Sequence, residues 1–163
     1  MIIIDADILS TFAKMGELDL LIQLFSPRKM KITPMIQNEL SVPMDYGYSF
    51  PKTIFDKIET IFPSPEDCTG FDQFQLRHKL GIGEVEAIMI CKTKRLSFCT
   101  NDTQAQKIAR EFGIEVISLQ AILKAIWKKK LRKKSEVRDL IDQMKVVDNL
   151  HIKGEEVTKI LED

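Results

Sequence analysis

Hydrophobic positions in this chain follow two rhythms, short unbroken apolar runs and three-to-four-residue repeats, and their alternation predicts most of its elements. Residues 2 to 4 are three isoleucines, read as a short, fully apolar strand. Ile8, Leu9, Phe12, Ala13 and Met15 follow at helical spacing, with Gly16 placed to close the helix. Leu18, Leu20, Leu21, Leu24 and Phe25 predict a second helix, ended by Ser26-Pro27, and residues 30 to 33 read as a strand. Thr33 before Pro34 is a helix start, because the hydroxyl can cap and proline tolerates the first helical position. That helix carries Met35, Ile36, Glu39 and Leu40. Between residues 41 and 51, and again between 63 and 70, the sequence turns to Pro, Gly, Ser and polar residues, which predicts loops.

Residues 71 to 80 read as a helix, interrupted by Gly81-Ile82-Gly83 before another starts at Glu84 and runs through Ala87, Ile88 and Cys91. A strand over 95 to 100, a helix over 102 to 112 with Gly113 at its end, and a strand over 114 to 117 complete the alternation. Strand followed by helix, repeated, implies an α/β layered domain with a mostly parallel sheet. Beyond Leu119 the spacing is helical almost to the end, in Ala121, Ile122, Ala125 and Ile126 and then in Val137, Leu140, Ile141 and Met144. The 163 residues are therefore read as one domain, an α/β core over 1 to 119 with a helical C-terminal extension over 120 to 163.

Composition narrows the class. An apolar fraction of 44% and a charged fraction of 29% exclude collagen-like and low-complexity disordered chains. No apolar run approaches the roughly 20 residues that a membrane-spanning helix needs, and no basic segment precedes residues 1 to 4 as in a signal peptide, so a cytoplasmic protein is expected. Cys68, Cys91 and Cys99 have no C-x-x-C spacing and are read as reduced thiols rather than a disulfide framework or zinc site. The 24 basic and 24 acidic residues cancel, but not locally: residues 120 to 145 hold nine Lys/Arg against three Asp/Glu, whereas residues 1 to 119 hold 13 against 16. The densest run, Lys128 to Lys134 beside Trp127, reads either as a solvated helix end or as a clamp for the backbone of a polyanion.

Acidic residues carry the candidate chemistry. Asp5 follows the first strand, Asp102 follows the strand at 95 to 100, and Glu39 and Glu84 lie on helices that follow a strand and a glycine turn. In open parallel sheets the ligand crevice lies beyond the carboxyl ends of the strands where strand order reverses, so the four can converge there. Carboxylates held together repel one another unless a cation neutralises them, and an all-oxygen donor set favours a hard ion, Mg²⁺ or Mn²⁺. Such an ion can activate water and stabilise the leaving oxygen of a phosphodiester. Each acid also has a plain reading: Asp7 and Asp102 as helix caps, Glu39 and Glu84 as solvated helix residues. Glu84 shares its helix side with Ala87, Ile88 and Cys91, which draws it inward, and on the same arithmetic Glu86 points elsewhere.

Four stretches sharpen the choice: Ile2-Ile3-Ile4-Asp5-Ala6-Asp7-Ile8-Leu9, then Ile36-Gln37-Asn38-Glu39-Leu40, then Leu80-Gly81-Ile82-Gly83-Glu84-Val85-Glu86-Ala87-Ile88, and Thr100-Asn101-Asp102 with Ala105, Ala109 and Gly113 downstream. In their order and spacing the chain resembles the PIN domain, the nuclease family that includes the VapC-type toxins of bacterial and archaeal toxin-antitoxin pairs. The resemblance implies a three-layer α/β/α sandwich around a mostly parallel sheet. It also implies an endoribonuclease that hydrolyses RNA phosphodiester bonds with Mg²⁺ or Mn²⁺, with Asp5, Glu39, Glu84 and Asp102 as metal-binding and catalytic residues. A homodimer and, for a toxin, an antitoxin protein are the partners it implies besides RNA. Asp7 stands where the family usually has Asn, Ser or Thr, and Asn101 where it often has a second Asp; an amide oxygen can still ligate, so the site is expected to survive. The segment from Leu119 onward resembles an extension found in a subset of prokaryotic PIN proteins.

The alternative reading is a non-catalytic PIN scaffold that holds RNA or a protein partner. Other signals add little chemistry. Gly81-Ile82-Gly83 lacks the remaining residues of a nucleotide loop and reads as a helix stop and restart that aims Glu84. His78 and His151 stand apart from any Ser or Cys motif, and Trp127 falls at helical spacing with Ile122 and Ile126, a core or dimer-interface position. Tyr46, Tyr48 and Phe50 are read as loop packing or an RNA-contacting loop after Glu39.

Overall fold

The computed structural model describes residues 1–162. Its centre is β1 (Ile2–Ile4), three isoleucines with no solvent exposure. β1 pairs in parallel with β2 (Met30–Ile32) on one side and β4 (Ser97–Cys99) on the other, with Ile2 opposite both Met30 and Ser97. β3 (Glu59–Thr60) extends the sheet beyond β2, and β5 (Val116–Ile117) extends it beyond β4, giving the order β3-β2-β1-β4-β5 with every pairing parallel. A strand covered on both faces reads as an uninterrupted apolar run, and Ile2-Ile3-Ile4 is that run.

Parallel strands need crossovers, and the helices supply them on both faces of the sheet, an α/β/α sandwich. From β1 the chain enters α1 (Ala6–Lys14) and α2 (Leu18–Phe25) before β2. From β2 it enters α3 (Pro34–Ser41), a 3-10 turn (Val42–Tyr46) and α4 (Phe50–Lys57) before β3. α1 packs against α2, α3 and α4. The return to β4 runs through α5 (Phe71–His78) and α6 (Ile82–Lys94), and α7 (Thr103–Glu111) connects β4 to β5, with α6 touching both α5 and α7. After β5, α8 (Leu119–Lys128) packs on α2, α9 (Lys134–Asp148) packs on α1, and α10 (Gly154–Leu161) packs on α8. Ile126, Val137 and Met144 of this last segment are fully enclosed in the same apolar cluster as β1.

Local chemistry sets several helix starts. Thr33 accepts from the Ile36 amide at 3.3 Å with Pro34 in the first position, Asp102 accepts from Ala105 at 2.6 Å, and Ser118 accepts from Ala121 at 3.2 Å. The expected loop over 41 to 51 is shorter than the sequence suggests. Its first half winds into the 3-10 turn and α4 begins at Phe50, where Pro51 occupies a position that needs no amide and Ile54 enters the core. α4 and the two-residue β3 are additions to the expected elements; β3 is too short for a period, but Phe50, Ile54, Phe55 and Ile58 stand at helical spacing along α4. The break before α6 also falls earlier than expected, at Lys79 to Gly81, so Gly83 lies inside the helix.

Strand order decides where a site can form. β1, β2 and β3 step outward in one direction, whereas β4 returns to the other side of β1, so the reversal lies at the carboxyl ends of β1 and β4. Asp5 and Thr100 are the residues that leave the sheet there.

Candidate active site

Asp5 is 6% exposed and is held by two donors: the Ala6 amide at 2.8 Å and, from the neighbouring strand end, the Thr100 hydroxyl at 2.8 Å. Thr100 Oγ1 also accepts from the Asp102 amide at 3.1 Å, so one threonine couples the two strand ends that bear Asp5 and Asp102. Glu39 reaches toward α6 from the last turn of α3. Its Oε1 lies 2.6 Å from where a β-carbon on Gly83 would stand, an approach that only glycine permits without displacing the carboxylate. Glu84, half-buried in the first turn of α6, accepts from the Gly81 amide at 2.9 Å.

Burial and the charges of nearby acids act on three of the four. Burial pushes the Asp5 carboxyl up to about 6; Thr100 and Ala6 oppose the shift, and the charges of Asp7 and Asp102 add to it. Burial likewise raises Glu84 to about 7, opposed by the Gly81 amide and reinforced by Asp102, Asp5 and Glu39. Glu39 is raised by burial and then by Asp5, Asp7 and Glu86, with the Gly83 backbone acting against the shift. Among the described residues no Lys, Arg or His forms an ion pair with Asp5, Glu39, Glu84 or Asp102. Several carboxylates, one of them buried, thus act on one another's charge with no ion-paired Lys, Arg or His among the described residues to balance them.

The donor set is all oxygen and in excess of negative charge, which suits a hard divalent cation. As placed, however, each carboxylate is turned to a local donor: Asp102 and Glu84 to the amino ends of their own helices, Asp5 to Thr100 and Ala6. Accordingly, no group of three or more His, Cys, Asp or Glu among the described residues is spaced to hold a metal ion. The plain reading of Asp102 as a helix cap has substance, since it caps α7, whereas Glu84 is half-buried and bound to the Gly81 amide rather than solvated.

The chain matches the family model DUF3368, described as a PIN domain, over residues 1–163. The chain belongs to the PIN-domain family. Comparison with curated proteins gives no significant match. The match to this PIN domain extends through α8, α9 and α10, the segment beyond Leu119.

Two residues that the sequence did not single out for roles brace the site of this PIN domain. Thr100 bridges Asp5 and the start of α7, as described. Glu86, expected to point elsewhere, is 7% exposed, and its Oε2 accepts from the Met35 amide at 2.8 Å, tying α6 to the first turn of α3. The signal was present, because Gly83, Met89 and Ile90, three and four positions away, are small or apolar and share its helix side.

The basic run lies elsewhere. Lys129 Nζ donates to the Leu24 carbonyl at 2.9 Å, just ahead of Arg28 and Lys29, and the Lys29 carbonyl receives the Ile2 amide at the entry to β1. Arg132 pairs with Glu17 at 3.2 Å. The turn between α8 and α9 therefore borders the amino ends of the strands, with the acids beyond the carboxyl ends. Trp127 donates from Nε1 to the Ile160 carbonyl at 2.7 Å and carries Lys134 Nζ 4.2 Å from its ring centroid. It anchors α10 to α8.

Proposed function

We propose that this PIN domain is a divalent-metal-dependent endoribonuclease that hydrolyses RNA phosphodiester bonds at the crevice between β1 and β4. The observation that carries the reading is the set of mutually repelling acids from four separate segments, with no Lys, Arg or His ion-paired to them among the described residues, at the reversal point of a parallel sheet. Asp5, Glu84 and Asp102 would hold Mg²⁺ or Mn²⁺, and Glu39 would bind it directly or through water. Bound there, the cation would neutralise the carboxylates and stabilise negative charge on the scissile phosphate. Asp5, fixed by Thr100 and Ala6, is the rigid member of the set. Glu39, held at its carboxylate by the Gly83 backbone, would orient the attacking water and take its proton.

A second reading has its own observation: Glu84 and Asp102 are turned to their own helices, as in a scaffold that binds RNA or a partner protein without cutting. Incubating the protein and its Asp5→Asn and Asp102→Asn variants with a mixed RNA pool, in EDTA, Mg²⁺ and Mn²⁺, separates the two. Metal-dependent cuts lost in both variants are the expected outcome, and an active, folded Asp5→Asn protein would sink the mechanism. A toxin role and homodimer formation are further parts of the proposal. Co-expression with the product of a small adjacent reading frame should suppress toxicity if it acts as an antitoxin, and sedimentation should give twice the monomer mass.

A further inference from the structure

The C-terminal segment closes a space beside the acids. A cavity of about 340 Å³ opens between α1, the start of α4 and the end of α9, at the small end of the roughly 300–1,000 Å³ typical of small-molecule sites. Asp7 and Asn101 line it, and they link it to the crevice: Asp7 is near enough to Asp5 and Glu39 to act on both charges, and Asn101 precedes Asp102. Phe50 supplies an aromatic wall, with Lys14 Nζ 5.1 Å from its ring centroid. From the other end of the chain come Leu150 and Asp148, the latter fixed by an ion pair with Lys14 and a hydrogen bond from Thr11.

The polar groups of this cavity divide into two sets. Lys14, Thr11 and Asp148 satisfy one another and hold the wall together. Asp7, Ser10 and Asn101 have no side-chain hydrogen-bond or ion-pair partner among the described residues, although they line the same space. An aromatic wall with a carboxylate and two hydrogen-bonding groups left unused suits a flat ring that offers N–H donors at its edge. Unpaired RNA bases are recognised in this way, by stacking on aromatic side chains and by hydrogen bonds to their exposed edges. A carboxylate accepts readily from an exocyclic amino group, whereas uracil places carbonyl oxygens on either side of its single edge N–H.

We propose that the cavity is a base pocket: it takes one unpaired nucleobase flanking the scissile phosphate, seats the ring against Phe50, and uses Asp7 to favour amino-bearing bases over uracil. This inference rests on the RNA-cleaving reading of the adjacent acids, and it gives α9 and the residues after it a part in selecting where RNA is cut.

The test uses the whole chain in EDTA and fluorescently labelled short oligouridine with a single uridine replaced in turn by A, C or G. Anisotropy titrations should show at least one replacement tightening binding roughly tenfold. Leu150→Trp, which fills the cavity, and Phe50→Ala, which removes its aromatic wall, should each cut that gain to below about twofold while circular dichroism shows a folded protein. Equal affinity of the wild type for all four oligonucleotides, or a gain that survives in both folded variants, would overturn the pocket. A parallel digestion in Mg²⁺ with sequencing of fragment ends separates this failure from that of the parent reading. Metal-dependent cuts with no base bias beside them leave the nuclease standing and remove the pocket, whereas neither binding nor cuts removes both.

Discussion

At the scale of single residues, the two most informative carboxylates are shifted in opposite directions. Asp5 is raised from 3.8 to about 6, so the folded state keeps its proton at a pH where the unfolded chain has lost it. Unfolding then releases a proton between about pH 4 and 6, and stability falls as pH rises through that window. Glu84, raised to about 7, carries the fall to neutrality. In EDTA, Asp5→Asn should therefore be more stable than wild type at about pH 8, by roughly 1–3 kcal/mol, and indistinguishable from it near pH 4. Urea unfolding across this range checks it; equal stability at the alkaline end would contradict the buried-charge account. Asp67 behaves the other way. Burial would raise its carboxyl, but Lys94 at 2.8 Å, Thr93 and Ser64 more than offset burial and hold it below the usual carboxylate range. Its contribution is present above the unfolded value near about 4 and is lost as pH falls further toward the folded value. Asp67→Asn should cost about 2 kcal/mol at neutral pH, less than a fully enclosed pair because the Lys94 side chain is 33% exposed, and should flatten the acid limb of the stability curve.

At the scale of elements, the site depends on how α6 meets α3. Gly83 and Glu86, three residues apart on α6, make the two contacts that matter: one leaves room for the Glu39 carboxylate, the other holds the amino end of the helix that bears it. Gly83→Ala should push Glu39 aside, lowering cleavage by up to about 100-fold, while the gain in helix propensity keeps the melting temperature at or above wild type. A variant that loses activity and stability together would show packing damage instead. Glu86→Ala should cost roughly 1–3 kcal/mol by leaving the Met35 amide unpaired, and Glu86→Gln, which can still accept that hydrogen bond, should recover most of it in the same unfolding assay. Element boundaries were legible where a residue does local work, as at Thr33-Pro34 and Asp102. They were obscure at β3, only two residues long, whereas α4 carries a helical spacing in Phe50, Ile54, Phe55 and Ile58 that the expected loop over 41 to 51 partly hides. Glu86 was misread because two residues along a helix turn a side chain to the other side, and that side here faces another helix rather than solvent.

At the scale of the whole molecule, charge is sorted by the direction of the strands. The acids gather beyond the carboxyl ends, and the turn from Lys128 to Lys134 sits by the amino ends, separated from them by at least the strand length. Replacing Lys128, Lys130 and Lys133 with Gln should therefore leave cleavage of a short RNA unchanged; a large loss on such a substrate would place that turn at the site. Cutting the chain after Leu119 should give a protein without a cooperative melting transition, because Ile126, Val137 and Met144 would leave an apolar face on α1 and α2 uncovered. What the sequence determined by itself was everything carried by neighbours along the chain: the apolar strand at the start, the caps, the alternation that makes a parallel sheet, and the acids that follow its strands. Tertiary structure decided the rest. Which side of β1 receives β4, and so where strand order reverses, is set by long-range pairing with no local signature. The Thr100 bridge, the Glu86 brace, the far placement of the basic turn and the cavity closed by Leu150 join residues distant along the chain, and only packing brings them within reach of one another.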